Sequence, residues 1–207
     1  KIVLLITLHM PMYTTIIIFS IPCLIIVTLM RRFYLIRWQP LISGRIGHLA
    51  GNMELYCCEV DAGINVPKGK YIDIFYIDSR ISNYQLLKMW RRILFIAPRY
   101  TGPIFNGMNL IIKKLSKTFP DLNTHLIGEN YNIDCDVLNL LDKTLPHLKF
   151  TKDEEEKGRN WLINNNIELD AKIVLLVVRD DEYLNIVDSQ HNWEYHSYRD
   201  CDINNFI

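Results

Sequence analysis

The sequence predicts an α/β fold on a parallel sheet, preceded by an apolar helix of membrane length. Three observations carry this. From Ile2 to Met30 no side chain is charged. Beyond Arg32, β-like runs alternate with helical periodicity at short intervals, the pattern of parallel strands joined by helical crossovers. Lys172-Ile173-Val174-Leu175-Leu176-Val177-Val178 is apolar on both faces, as a central parallel strand is. With 207 residues the chain has room for one domain and an appendage, read here as an anchor over residues 1–31 and a domain over 32–207.

The apolar run exceeds the ~20 residues that cross a ~30 Å hydrocarbon core. Arg31, Arg32 and Arg37 follow it, so the positive-inside tendency leaves the rest of the chain in the cytoplasm. Pro11 and Pro22 each remove a backbone donor, which keeps open a kinked helix or shorter pieces lying at the interface. A buried helix pair in a soluble protein is the remaining alternative. A cleaved secretory signal is disfavoured, because the basic residues follow the apolar run and no small-x-small site is present.

The first strand is expected at Phe33-Tyr34-Leu35-Ile36-Arg37-Trp38, ahead of Pro40 and the loop Ser43-Gly44-Arg45-Ile46-Gly47-His48. Leu49, Met53, Tyr56 and Val60 recur at helical spacing up to Asp61, and Gly63 is the stop signal. Tyr71 to Ile77 reads as a strand, Asn83 to Arg91 as a short helix, and Ile93 to Ile96 as a strand closed by Pro98. An amphipathic helix is expected from about Asn106 to Phe119. Another opens at Thr151, where Thr151 and Glu154 form a capping box. The acidic run Asp153 to Glu156 suits the positive end of that helix better than a metal site. Asn164-Asn165-Asn166 is its exit.

Composition narrows the function classes. No Asp or Glu precedes Glu54, while Lys1, Arg31, Arg32, Arg37 and Arg45 are basic; in a chain with 23 residues of each sign, the remainder is net negative by five. No basic block marks the domain, so nucleic acid is not an expected partner. The five cysteines, Cys23, Cys57, Cys58, Cys135 and Cys201, form no C-x-x-C pair and accompany no His cluster at zinc spacing. Reduced thiols and no metal are expected. The first residue is Lys1 and the last segment stops without a polar tail, so the chain reads as a fragment of a longer protein.

Three segments have the residue types for chemistry. In Gly44 to His48, glycines allow close backbone approach and a helix start offers free amides to an anion or sugar hydroxyls. Either this is a plain turn with His48 as a cap, or His48 is a general base for an acceptor hydroxyl. Arg179-Asp180-x-x-Tyr183 follows the expected central strand, where open α/β sheets bind ligands. Arg179 suits a phosphate grip, and equally a structural salt bridge with Asp180. The third segment, His196 to Asn205, combines His196, Tyr198, Arg199, Asp202 and Asn205 in a polar loop running into a helix start.

Gly44-Arg45-Ile46-Gly47-His48-Leu49-Ala50-x-Asn52-x-Glu54, Asn83-x-Gln85-Leu86-Leu87-Lys88-Met89-Trp90, Val178-Arg179-Asp180-x-x-Tyr183-Leu184 and Tyr198-Arg199-x-x-Asp202-Ile203-x-Asn205, in that order, resemble a family of bacterial glycosyltransferases of surface-polysaccharide and O-antigen biosynthesis. The resemblance covers about residue 34 to 207. It implies a Rossmann-like domain, the N-terminal half of a two-domain GT-B enzyme, with a second domain beyond this chain. It implies a nucleotide-sugar donor as co-substrate, no other cofactor, and a saccharide or lipid-linked acceptor at the cytoplasmic face of the bacterial inner membrane. Carry-over places Arg45, His48, Asn52, Glu54, Arg179, Asp180, Tyr183, Tyr198, Arg199, Asp202 and Asn205 on the motif positions; these residues other than His48, with Gly47 and His196, are read as substrate contacts, and His48 is read as the catalytic base. Family members often have a His where this chain has Val177. That departure sustains a second expectation, a non-catalytic membrane-anchored scaffold on a decayed transferase fold. An NAD-dependent oxidoreductase is excluded by the missing G-x-G-x-x-G loop.

Overall fold

The computed structural model describes residues 2–77, 79–128, 136–174 and the isolated positions 186, 190, 192, 194 and 198, and for residues 2–13 the backbone alone. The chain divides into two compact units, Lys1–Thr151 and Lys152–Ile207.

The first unit is an α/β fold with a three-stranded parallel sheet in the order β1-β2-β3. Its elements are α1 (Ile2–Met30), β1 (Leu35–Leu41), α2 (Ile46–Asp61), β2 (Tyr71–Ile77), α3 (Tyr84–Trp90), β3 (Phe95–Ala97) and α4 (Gly102–Leu115). Short 3-10 turns lie at Arg99–Thr101 and Pro120–His125. Strand residues alternate between two faces. On one face Leu41, Phe75 and Ile77 pack with Leu49, Met53 and Tyr56 of α2 and Leu87 and Trp90 of α3. On the other, Trp38 and Tyr76 pack with Leu24 of α1 and Met108 and Ile112 of α4. One further backbone segment borders β1 on the side away from β2: Leu126 makes an isolated parallel bridge to Trp38, and Ile127 N donates to Trp38 O at 3.3 Å.

The strand expected at 33–38 lies two to three residues later. Phe33 and Tyr34 instead donate to Met30 O at 2.8 and 2.9 Å in the turn that ends α1. Pro40 sits inside β1, opposite Tyr76. The exchange between Trp38 and Ile127 explains why it is tolerated. Residues 38 and 40 direct their polar backbone groups to the same side, away from β2, so the nitrogen without a hydrogen faces where the outer pairing has already ended.

α2 matches its sequence signals. Gly63, at φ 70°, and Ile64 close it with bonds to Val60 O and Glu59 O at 3.0 and 2.8 Å, a Schellman motif. Asn83 caps α3 by accepting from Leu86 N at 2.8 Å. α4 begins four residues before the expected Asn106 and ends at Leu115. Gly102 starts it because an added Cβ would stand 2.7 Å from Ile77 O.

No helix among the described residues is long and apolar enough to cross a membrane. The sequence predicts an anchoring helix over residues 1–31. A helix does form there, but one face of its described part is taken up by α4. Ser20 is fully buried and donates to Ile104 O at 3.0 Å, and an added Cβ at Gly107 would run into the Ser20 side chain.

In the second unit, α5 (Lys152–Asn164) starts directly after Thr151 with Asp153, Glu154 and Glu155 in its first turn. It ends in another Schellman motif, with Asn166 at φ 58° and Ile167 N bonded to Leu162 O at 2.9 Å. Of the strand expected at 172–178, Lys172 to Val174 carry no regular structure, and Leu175 to Val178 lie outside the described residues.

Candidate functional site

Three parallel strands end at one edge of the sheet, so the loops after β1, β2 and β3 and the first turns of α2, α3 and α4 gather there. Ser43 ties two of these loops together. Its hydroxyl donates to Arg80 O at 2.8 Å, and its carbonyl accepts from Ser82 N at 2.8 Å. Gly44 lies against Arg80, whose Cγ would be 3.9 Å from an added Cβ. Arg45, Arg80 and Arg99, one from each loop, are exposed along the edge. The buried Ser82 Oγ has no hydrogen-bond partner.

Arg45 is the residue before α2, in extended backbone at φ −127° and ψ 133°, and its side chain does not cap the helix. Gly47 in the first turn is exposed, and an added Cβ there would meet nothing within 4 Å. His48 is half-buried, and one turn on Asn52 is buried, its Nδ2 3.4 Å from His48 Nδ1. The structure therefore brings Arg45, Gly47, His48 and Asn52 together at the carboxyl end of β1. Asn52 is in position to orient the imidazole.

Glu54 belongs to a different cluster. Its Oε1 accepts from the backbone N of His147 at 2.9 Å and faces His147 Nδ1 at 2.9 Å, while His147 Nε2 is 3.1 Å from Asp61 Oδ2. Burial lowers the His147 pKa, but the hydrogen bonds to Glu54 and Asp61 more than offset this and the net direction is up. Cys58 lies beside them and accepts from Thr144 Oγ1 at 2.8 Å. Ligand atoms of Glu54, Cys58 and His147 lie within 4.8 Å of one another, so this is the described cluster that has the donors for a metal ion. With both ring nitrogens held by carboxylates, the arrangement already serves to clamp the 136–148 segment to α2. Burial keeps the neighbouring thiols protonated, Cys58 shifted up and Cys57 pushed up to about 12. Among the described cysteines, Cys23, Cys57 and Cys58 are free.

Arg179, Asp180, Tyr183, His196, Arg199, Asp202 and Asn205, and also Val177, lie outside the described residues. Tyr198 is described and 73% exposed. Sequence reasoning missed Arg80, Arg99 and Ser82, which join the edge only because β2 and β3 end beside β1. Their signal was positional: polar residues two to five places after a strand.

No family model matches the chain, and no curated protein and no solved structure matches it either.

Proposed function

We propose that the chain is the Rossmann-like, acceptor-binding half of a glycosyltransferase that moves a sugar from a nucleotide-sugar to a saccharide or lipid-linked acceptor at the cytoplasmic face of a bacterial membrane. The observation that carries this is the course of the chain around β1. α2 and α3 pack on one face while the sheet grows from β1 to β3; α4 then packs on the opposite face, and Leu126 returns parallel to β1 on its free side. Right-handed crossovers give that reversal in a doubly wound sheet, and it makes the carboxyl end of β1 the switch point where such sheets bind ligands. Gly44 to His48 occupy that position, which supports the motif resemblance from an independent direction.

In this reading His48 accepts the proton of the attacking acceptor hydroxyl. Turned about its terminal bond, the Asn52 amide presents oxygen to an Nδ1 proton and leaves Nε2 as the base, an exchange of amide atoms that costs little. The exposed glycine turn and the helix start leave room for sugar hydroxyls, and Arg45 sets positive charge beside it. Arg179 and Asp180, together with Tyr183, Tyr198, Arg199, Asp202 and Asn205, complete the substrate contacts by carry-over.

The test is turnover of a panel of nucleoside-diphosphate sugars by the full membrane protein. Loss of about 10²–10⁴-fold in kcat for His48→Ala, as for a missing general base, supports the reading. Nucleotide-sugar binding without product release by the wild type replaces it with the scaffold.

A further inference from the structure

The opposite edge of the sheet, at the amino ends of β1 and β2, carries a surface that sugar transfer does not use. A cavity of about 340 Å³ opens there, lined among others by Arg31, Arg32, Phe33, Lys68, Lys70 and Asp121. Four cations thus face one carboxylate, which Arg31 already engages at 2.9 Å. The Lys68-Gly69-Lys70 turn is held in place by Leu35 N, which donates to Lys70 O at 2.9 Å, and by Gly69 at φ 118°. The cavity begins where α1 ends. Along that helix Ile18, Phe19, Ile25, Ile26 and Leu29 are between 53% and 71% exposed, and Phe33 just beyond it is 81% exposed. These positions fall on one side, opposite Ser20 and Leu24, which are buried towards α4.

We propose that this surface docks on an anionic phospholipid membrane, with a headgroup phosphate in the cavity and acyl chains along the exposed side of α1. The two halves of the surface ask for different chemistry. Clustered ammonium and guanidinium groups require an anion, and a continuous apolar helix side requires hydrocarbon. A phospholipid joins the two covalently. From Thr14 to Met30 the helix is ~24 Å long, enough to line one ~15 Å leaflet or to lie along the interface. Arg31 and Arg32, immediately after the apolar stretch, fall at headgroup level in either case. The proposal stands independently of the sugar-transfer reading, since its residues and its edge of the sheet are different.

The test is flotation of the full chain with phosphatidylcholine vesicles, with and without phosphatidylglycerol. Binding is expected to rise with the anionic fraction and to fall with added salt. Lys68→Glu with Lys70→Glu is expected to weaken binding to the anionic vesicles roughly ten- to thirty-fold, and Lys68→Gln with Lys70→Gln by less. Both lysines are exposed in a turn outside the core, so the variants keep the fold, checked by an unchanged melting transition. Equal binding to neutral and anionic vesicles, or undiminished anionic binding by the charge-reversed pair, overturns the proposal. So does binding of inorganic phosphate at the cavity with no vesicle binding.

Discussion

The two faces of the sheet each bury polar groups from neighbouring strands, but of different kinds. Under α2, Arg37 and Asp73 are paired directly across β1 and β2, with bonds of 2.7 and 2.6 Å, and Tyr56 adds a third bond to Asp73 at 2.6 Å. Under α4 the groups are neutral: Trp38 Nε1 donates to Asn109 Oδ1 at 2.7 Å, Asn109 Nδ2 to Tyr76 OH at 2.8 Å, and Tyr76 OH to Asn106 Oδ1 at 2.8 Å. The charged network is sealed, with Arg37 and Asp73 at 5% and 9% exposure, whereas Asn106 reaches the surface. Burying ions obliges every partner to be present, because a lone buried charge costs far more than a lone buried amide. The α2 face should therefore be the less forgiving of the two.

The sharpest way to break this comparison is Asp73→Ala, which strands Arg37 and is expected to cost about 3–5 kcal/mol in urea unfolding. Replacing both ions, as Arg37→Met with Asp73→Leu, should cost much less than the single change; equal losses would mean that the pair is open to water. Next in size is Gly107→Ala on the other face. The added methyl meets Ser20 and is expected to destabilise by about 1–3 kcal/mol and loosen α1, read as increased proteolysis within residues 14–30. Tyr76→Phe removes one hydroxyl from the neutral network, for an expected loss of about 1 kcal/mol by thermal melting. A loss as large as that of Asp73→Ala would erase the ranking of the faces.

The smallest effect concerns His147. Its folded-state pKa is raised, so its contribution is fully present below the ordinary histidine value of about 6.5 and is lost as pH rises through the raised one. The melting difference between wild type and His147→Asn should accordingly shrink from mildly acidic to mildly alkaline buffer. A difference that grows with pH would mean that the clamp works with a neutral imidazole.

What the residues disclosed in advance was local. Tyr71–Ile77 announced itself by its β-branched and aromatic run, α2 by its periodicity and Gly63, and α3 by Asn83, because each signal acts within a turn or two of chain. Contacts set by pairing register were not legible. Arg37 meets Asp73 only once β1 and β2 are aligned, and His147 reaches Glu54 across 93 residues. Pro40 argued for an earlier strand end because the side on which its nitrogen would face depends on a neighbour. The apolar run of α1 looked uniform in sequence; Ser20 against Gly107 and the burial of Leu24 mark the side that packs. At the carboxyl edge the glycine loop, His48 and Asn52 were legible, and the partners supplied by β2 and β3 were not.

The double attachment of Ser43 has a consequence for how the carboxyl edge could change over time. With hydroxyl and carbonyl both spent on the loop after β2, neither loop can be lengthened or reshaped alone without breaking the latch. A change of shape at this edge would have to arise by paired substitutions in the two loops, while the loop after β3 lies outside that latch.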